Sequence, residues 1–287
     1  MATRRLLKHM SDTISAGKLI TLNVPAFDTI YQLGVTFLNS GAAATLANII
    51  AGIANITLLI NGEQIVNISA EHLAKVWASL GPQVGLASLV NSLPLLLPQL
   101  GYKLPAAEDA FAIGCERYTQ NTPVTNIQIQ IQCAASVTGL TDVFAYSERA
   151  NRGSGANVTA AVCKLLSYFQ GFTTTGTSEV DTLPRDSNMG RLWTLAIPDA
   201  TGVISQGESL VNNDPVIQNL DKGTNDMFVA ERGFAPVAGV FNYSYTDGGQ
   251  FDLLSMQGVT DMRCKTTFST ACTAGYTLVD ATVRVVA

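Results

Sequence analysis

Charge is what this sequence has least of. Asp, Glu, Lys and Arg make up 14% of its 287 residues, against about 25% in an average soluble domain. So much neutral surface implies extensive burial, in a large core or against neighbouring copies. There are seventeen Lys and Arg, no long basic run, and a net charge of -5. Phosphate affinity needs clustered bases, so no direct nucleic-acid partner is expected. Histidine occurs only as His9 and His72, too few for a metal centre built on imidazoles. There is no G-x-S-x-G elbow, no Walker loop and no G-x-G-x-x-G, which removes the common signatures of acyl transfer and nucleotide chemistry. Gly153-Ser-Gly155 reads as a linker with nothing to activate its serine.

Cysteine is odd in number: Cys115, Cys133, Cys163, Cys264 and Cys272, with no C-x-x-C pair. A disulfide framework and a four-cysteine zinc site are both disfavoured. The segment Met1–Met10 is charged and is not followed by an apolar run, so no secretory signal is read there. Folding in a reducing cytosol is expected, and the N-x-[ST] triplets at Asn55, Asn67, Asn157 and Asn242 carry no expectation of glycosylation. Ala42–Ile60 is uncharged and close to the length of a membrane span. Thr45, Asn48, Asn55 and Thr57 interrupt it, and it runs into the hairpin signal Asn61-Gly62. It reads as a loop followed by a buried strand. Val84–Leu100 is also apolar, but Pro94 and Pro98 break it as a helix.

What the sequence has in abundance is alternation. Ile127, Ile129 and Ile131 alternate with Gln128, Gln130 and Gln132, the pattern of a half-buried strand. Lys18–Val24, Tyr31–Leu38, Ile56–Ile60, Arg191–Ile197, Val237–Tyr245, Met262–Phe268 and Tyr276–Val286 also read as strands, rich in β-branched and aromatic residues. Turn signals separate them at Asn39-Ser-Gly41, Asn61-Gly62, Asp247-Gly-Gly249 and Thr273-Ala-Gly275. Two helices are expected. Ser69–Leu80 has a capping Ser69, Glu71 in its first turn and Gly81 at its end; Asn157–Phe169 is the second. Many short strands with an occasional helix point to a sandwich or barrel.

An internal echo suggests duplication. Gly62-Glu-Gln-Ile-Val-Asn-Ile-Ser-Ala70 matches Gly207-Glu-Ser-Leu-Val-Asn-Asn-Asp-Pro215 at Gly, Glu, Val and Asn, with capping Ser69 answered by Asp214. The offset is about half the chain, so two similar β-domains are expected, residues 1–145 and 146–287, joined near 146–160. A second echo, Lys18–Pro25 with Arg191–Pro198, has a different offset and is taken as shared strand character.

Two tandem β-domains, each with an N-G or related turn before a short helix, resemble the double jelly-roll major capsid proteins of tailless, icosahedral phages with an internal membrane. The likeness is to the corticovirus type within the tectivirus–adenovirus lineage. It is carried by Ile14-Ser-Ala-Gly17, Leu58-Leu-Ile-Asn-Gly62, Gly176-Thr-Ser-Glu-Val-Asp-Thr-Leu-Pro-Arg185 and the closing pair Val259–Phe268 and Tyr276–Val286. The resemblance implies an all-β fold of two tandem eight-stranded jelly rolls with a few short helices. It implies a non-enzymatic shell protein whose homotrimers have a pseudo-hexagonal outline and tile an icosahedral capsid over a lipid membrane. The implied partners are other copies, a vertex (penton) protein and the internal membrane or its proteins. The implied place is the virion capsid, assembled in the host cytoplasm. The competing class is a tandem jelly-roll carbohydrate-binding module or adhesin, which groups exposed aromatics into sugar platforms; Trp77 and Trp193 instead sit in periodic elements where a core position is expected.

Three sets of residues remain as site candidates. Asp214, Asp221, Asp226 and Glu231 lie in a stretch read as loop-rich and are candidates for a structural calcium ion; a solvated acidic loop is the preferred reading. Arg4, Arg5 and Lys8, interleaved with Leu6, Leu7 and Met10, read either as a partly disordered end or as a membrane-facing N-terminus. His72 reads as a structural imidazole beside a helix face. No residue is assigned to catalysis or to a cofactor.

Overall fold

Segment 126–133 shows most directly how pattern becomes structure. Its apolar residues and Cys133 point inward and its glutamines outward, in a strand at Ile127–Cys133 with strict burial alternation. Burying each isoleucine is worth about 1.5–3 kcal/mol, so a one-residue slip of this strand would expose its whole inner face. The computed structural model describes residues 4–80, 89–96, 111–119, 122–151, 161–199, 203–245 and 253–283.

In chain order the elements are β1 (Arg4–Thr13), β2 (Leu19–Val24), β3 (Thr29–Asn39), β4 (Ala42–Ala43), α1 (Leu46–Gly52), β5 (Ile53–Ile60), β6 (Glu63–Ile68), α2 (Ala70–Leu80), β7 (Ser92–Pro94), β8 (Ile113–Gly114), β9 (Ile127–Cys133) and β10 (Asp142–Ala150). Then follow β11 (Ala161–Phe172), β12 (Gly176–Val180), β13 (Met189–Pro198), β14 (Ile204–Val211), β15 (Asp214–Asp221), α3 (Lys222–Glu231), β16 (Phe241–Ser244), β17 (Leu254–Ser255), β18 (Met262–Phe268) and β19 (Cys272–Val283).

The chain forms two compact units. The first holds Met1–Ala74, Leu86–Lys164 and Val283–Ala287, and the second holds Lys75–Gly85 and Leu165–Thr282. The chain passes between them inside α2 and inside β11. In the first unit one sheet runs β1-β10-β3, with β4, β7 and β8 added to β3, and the other runs β2-β9-β5-β6. In the second unit the corresponding orders are β11-β19-β13-β16, with β17 added to β13, and β12-β18-β14-β15. The strands pair antiparallel, as in β1–β10, β10–β3, β2–β9, β5–β9 and β5–β6 of the first unit and β13–β19, β13–β16, β12–β18, β14–β18 and β14–β15 of the second. Each unit therefore has two sheets built on the same strand order, which is a jelly roll. The second core is aromatic: Phe172, Phe241, Tyr243, Phe268 and Tyr276 are buried together, and the Phe172 and Phe268 rings stack at 4.9 Å.

The duplication is present, but not in the register of the sequence echo. Asn61-Gly62, with φ of 52° and 81°, joins β5 to β6, and Asn212-Asn213, with φ of 50° and 68°, joins β14 to β15. Both are the left-handed pairs that a two-residue hairpin requires. Gly207, which the echo set against Gly62, lies inside β14. A Cβ there would collide with the Phe241 ring, so this glycine serves packing. Likewise Asp221, and not Asp214, answers Ser69. The Asp221 side chain accepts from Thr224 N at 2.9 Å, and Ser69 Oγ accepts from His72 N at 3.2 Å. The second echo joins β2 to β13, which occupy different places in their rolls.

Other expectations are corrected too. The helix expected at Asn157–Phe169 is strand from Ala161 onward. Pairing with β19, including a 2.8 Å hydrogen bond between Ser167 and Thr277 hydroxyls, overrides the local helical spacing. The expected disordered end is strand β1, in register with β10 from Arg4↔Ala150 to Thr13↔Asp142. The loop-rich stretch 214–231 is the strand–helix pair β15–α3. Ala42–Ile60 is a short strand, a short helix and β5, and no helix among the described residues is long and apolar enough to cross a membrane. Gly153-Ser-Gly155, the Asp247-Gly-Gly249 turn and most of Val84–Leu100 lie outside the described residues; from the last, Ser92–Pro94 forms β7 on β3.

Candidate functional site

Arg191 and Asp280 lie on neighbouring strands β13 and β19 and are both buried. Arg191 Nε donates to Asp280 Oδ1 at 2.8 Å and Nη2 donates to Oδ2 at 3.2 Å. Nη2 also donates to Pro184 O at 2.9 Å, and Nη1 lies 2.7 Å from Met262 Sδ. Burial works against the guanidinium charge, but Asp280 outweighs it and raises the Arg191 pKa. Such a satisfied pair fixes two strands and offers no reactive group. The signal was legible: Arg191 and Asp280 are single charges in otherwise apolar strands.

A second buried cation sits in the first roll. Arg149 Nε donates to Ser147 Oγ at 2.6 Å, and Nη1 donates to Phe27 O at 2.7 Å. The guanidinium lies 4.3 Å from the Phe27 ring centroid. Ser147 Oγ is also 2.6 Å from His9 Nε2. Ser147 thus links the Arg149 guanidinium to the His9 ring. Partial burial and then the Arg149 charge lower the His9 pKa. Burial lowers that of Arg149 as well and pushes the nearby Cys115 thiol up to about 12. This is a serine beside a histidine, yet Ser147 is fully buried, so a substrate could not reach it. His9 reaches this partner through a β-bulge: the β1–β10 register shifts between Lys8 and Ser11.

The sequence-derived candidates do not converge on an ion site. Asp214 opens β15, and Asp221, seven residues on, caps α3 with its side chain. Those ends are about 23 Å apart along an extended strand. Asp226 is ion-paired with Lys222, and Glu231 ends α3. Among the described residues no group of three or more His, Cys, Asp or Glu is placed to hold a metal. Arg4 pairs with Glu148 at 3.2 Å and stacks over Tyr31. Lys8 lies over the Phe144 ring at 4.1 Å, and Arg5 is exposed. His72 is buried in α2, and Trp77 and Trp193 are buried too. No sugar platform can be built from these tryptophans.

What remains open is surface. A groove of about 400 Å³ in the second roll is lined by Val216, Ile217 and Leu220 of β15, Phe228 of α3, Asn242 of β16 and the following Tyr245. Asn225 spans it, donating to Asn242 O at 2.7 Å and accepting from Asn242 N at 3.1 Å. Asn242 Oδ1 is buried and accepts no hydrogen bond among the described residues. Val216, Met227 and Phe228 are exposed at or beside its rim. Sequence reasoning missed this groove, because it arises only when β15, α3 and β16 meet.

Neither a protein-family model nor a curated protein matches the sequence. Solved structures do match the fold. The major capsid protein P2 of bacteriophage PM2 is 14% identical, with a TM-score of 0.77 over 99% of both chains. The STIV MCP is 12% identical, with a TM-score of 0.68 over 98% of this chain and 97% of that one. The PBCV-1 virus capsid protein is 10% identical, with a TM-score of 0.64 over 97% and 92%. At this identity the likeness rests on the arrangement of strands and not on shared residues. The chain has the double jelly-roll fold that these capsid proteins share.

Proposed function

We propose that this chain is a viral structural protein, a major capsid protein that builds a shell as homotrimers. The observation that carries the reading is the pair of rolls with identical strand order in one chain, a fold shared over nearly the full length with solved capsid proteins. Three copies, each with two similar rolls, would place six similar domains around a three-fold axis. Such a block has a pseudo-hexagonal outline and tiles a surface, because a closed ring of heterologous contacts leaves no contact unused. The low charge of the chain supports this, since interface cores are depleted in charge. On the same reading the tiles cover an internal membrane, five-fold positions need a separate vertex protein, and assembly takes place in the host cytoplasm. The chemistry is that of surfaces and symmetry, not of a catalytic centre. The exposed-tryptophan argument for an adhesin has no support.

The test is mass and shape. Light scattering coupled to size exclusion should give three times the 30.4 kDa chain mass, and electron microscopy of the same fraction should show a hexagonal outline. A monomer across micromolar concentrations would overturn the reading.

A further inference from the structure

Two strands of equivalent type differ in what lies beside them. In the first unit β6 is paired on both sides, with β5 and with β11, and is largely buried. The opening residues of β11 belong to that unit, and Lys164 among them is ion-paired with Glu63 of β6 at 2.9 Å. β11 is the leading strand of the second roll. In the second unit the equivalent strand, β15, is exposed along almost its whole length. The leading strand of the first roll, β1, is exposed to the same degree and ends its own sheet. An edge strand that long is a template for pairing unless something covers it.

The two exposed strands are complementary. β1 carries Arg4, Arg5 and Lys8 against the single acid Asp12, with Leu6 74% and Met10 55% exposed. The β15–α3 segment carries Asp214, Asp221, Asp226 and Glu231 against Lys222 and Arg232, and presents Val216, Met227 and Phe228 to solvent. The groove behind them is lined by Ile217, Leu220 and Tyr245. Basic residues with apolar neighbours on one strand thus match acids and an apolar rim on the other. Pro215 and the left-handed Asn219 interrupt β15, which limits pairing with arbitrary strands and leaves side-chain complementarity to select the partner.

We propose that β1 of one copy docks along β15 and α3 of a second copy, with Leu6 and Met10 against the rim at Val216 and Phe228, and that this contact repeated around a three-fold axis closes the homotrimer. It rests on the trimeric reading above and names the surfaces that make it. The basic residues of β1 and the acids of β15 and α3 thereby form the two halves of one interface.

The test uses the full-length protein. Arg5→Glu with Lys8→Glu should weaken the trimer by tenfold or more in dissociation constant, and Asp214→Lys with Glu231→Lys should do the same. The chain carrying all four changes should regain the trimer, because the signs are exchanged and matched again. Independently, Leu6→Cys with Val216→Cys should form an oxidised ladder of dimer and trimer on a non-reducing gel. If the unmodified protein is a monomer, the trimeric reading itself fails. If it is a trimer that tolerates both charge reversals and gives no ladder, only the docking of β1 on β15 fails. Retained trimers that lose co-sedimentation with anionic vesicles would overturn it in favour of a lipid-facing β1.

Discussion

The two rolls share a strand order but protect their edges differently. β6 is mostly buried where β15 is exposed, and the helices that follow them differ in the same way. α2 is buried or half-buried at every position, whereas α3 has only Asn225 and Val229 buried. A duplicated fold keeps what its topology needs and frees what it does not. The clearest thing kept is the hairpin clamp. Asn61 Oδ1 accepts from Thr125 N at 2.7 Å, Thr125 Oγ1 at 3.1 Å and Asn126 N at 3.2 Å. Asn212 Oδ1 accepts from Thr260 N at 2.8 Å, Thr260 Oγ1 at 3.1 Å and Asp261 N at 3.2 Å. Each amide nitrogen then donates to a carbonyl just upstream, of Pro123 or Gly258. Asparagine suits both demands, since it tolerates a left-handed backbone and brings a donor and an acceptor.

The comparison can be broken hardest at the buried Arg191–Asp280 pair of the second roll. Asp280→Ala should leave Arg191 buried without its counter-ion and cost about 3–5 kcal/mol. Thermal unfolding should show this as a large drop in midpoint. Next come the clamps. Asn61→Ala and Asn212→Ala should each cost about 1–3 kcal/mol, and near-equal losses in urea unfolding would confirm that the two turns do the same job. A loss at only one would separate them. Smaller still are the caps: Ser69→Ala and Asp221→Ala should each cost about 1 kcal/mol, with amide exchange quickening in the first turn of α2 or α3.

The smallest effect is expected at His9. Its folded pKa lies below its ordinary value, so the unfolded chain binds the proton more readily. Stability is therefore present above the ordinary pKa near 6.5 and falls as pH drops through it toward the folded value. Protection of the β1 amides, with intrinsic exchange divided out, should fall on acidification, and His9→Gln should remove that dependence. An unchanged pH profile in the variant would assign the effect to another group.

Much of the fold was legible residue by residue. Met262–Phe268 and Ile127–Cys133 were read within a residue of their ends because their alternation is strict and one face is buried. Ser69–Leu80 was read because a cap, an acidic first turn and an apolar spacing agree. β1, β10, β14 and β15 were not read. β1 and β15 have no buried face to impose alternation, so their strand character comes from pairing alone. β11 has apolar spacing that suits a helix, and strand pairing decides otherwise. Asp214–Glu231 looked like a loop with spare carboxylates because nothing local reveals that Asp221 is a helix cap.

The sequence by itself determined an all-β chain with two halves, poor in charge and without a catalytic inventory, because alternation, turn residues and composition are local properties. Tertiary structure decided the rest. It set the true register of the repeat, since Asn212 and not Gly207 meets the Thr260-Asp261 backbone. It joined Arg191 to Asp280 across strands far apart in the chain. It left β1 and β15 open, because whether an edge strand is covered depends on which strands reach it in three dimensions.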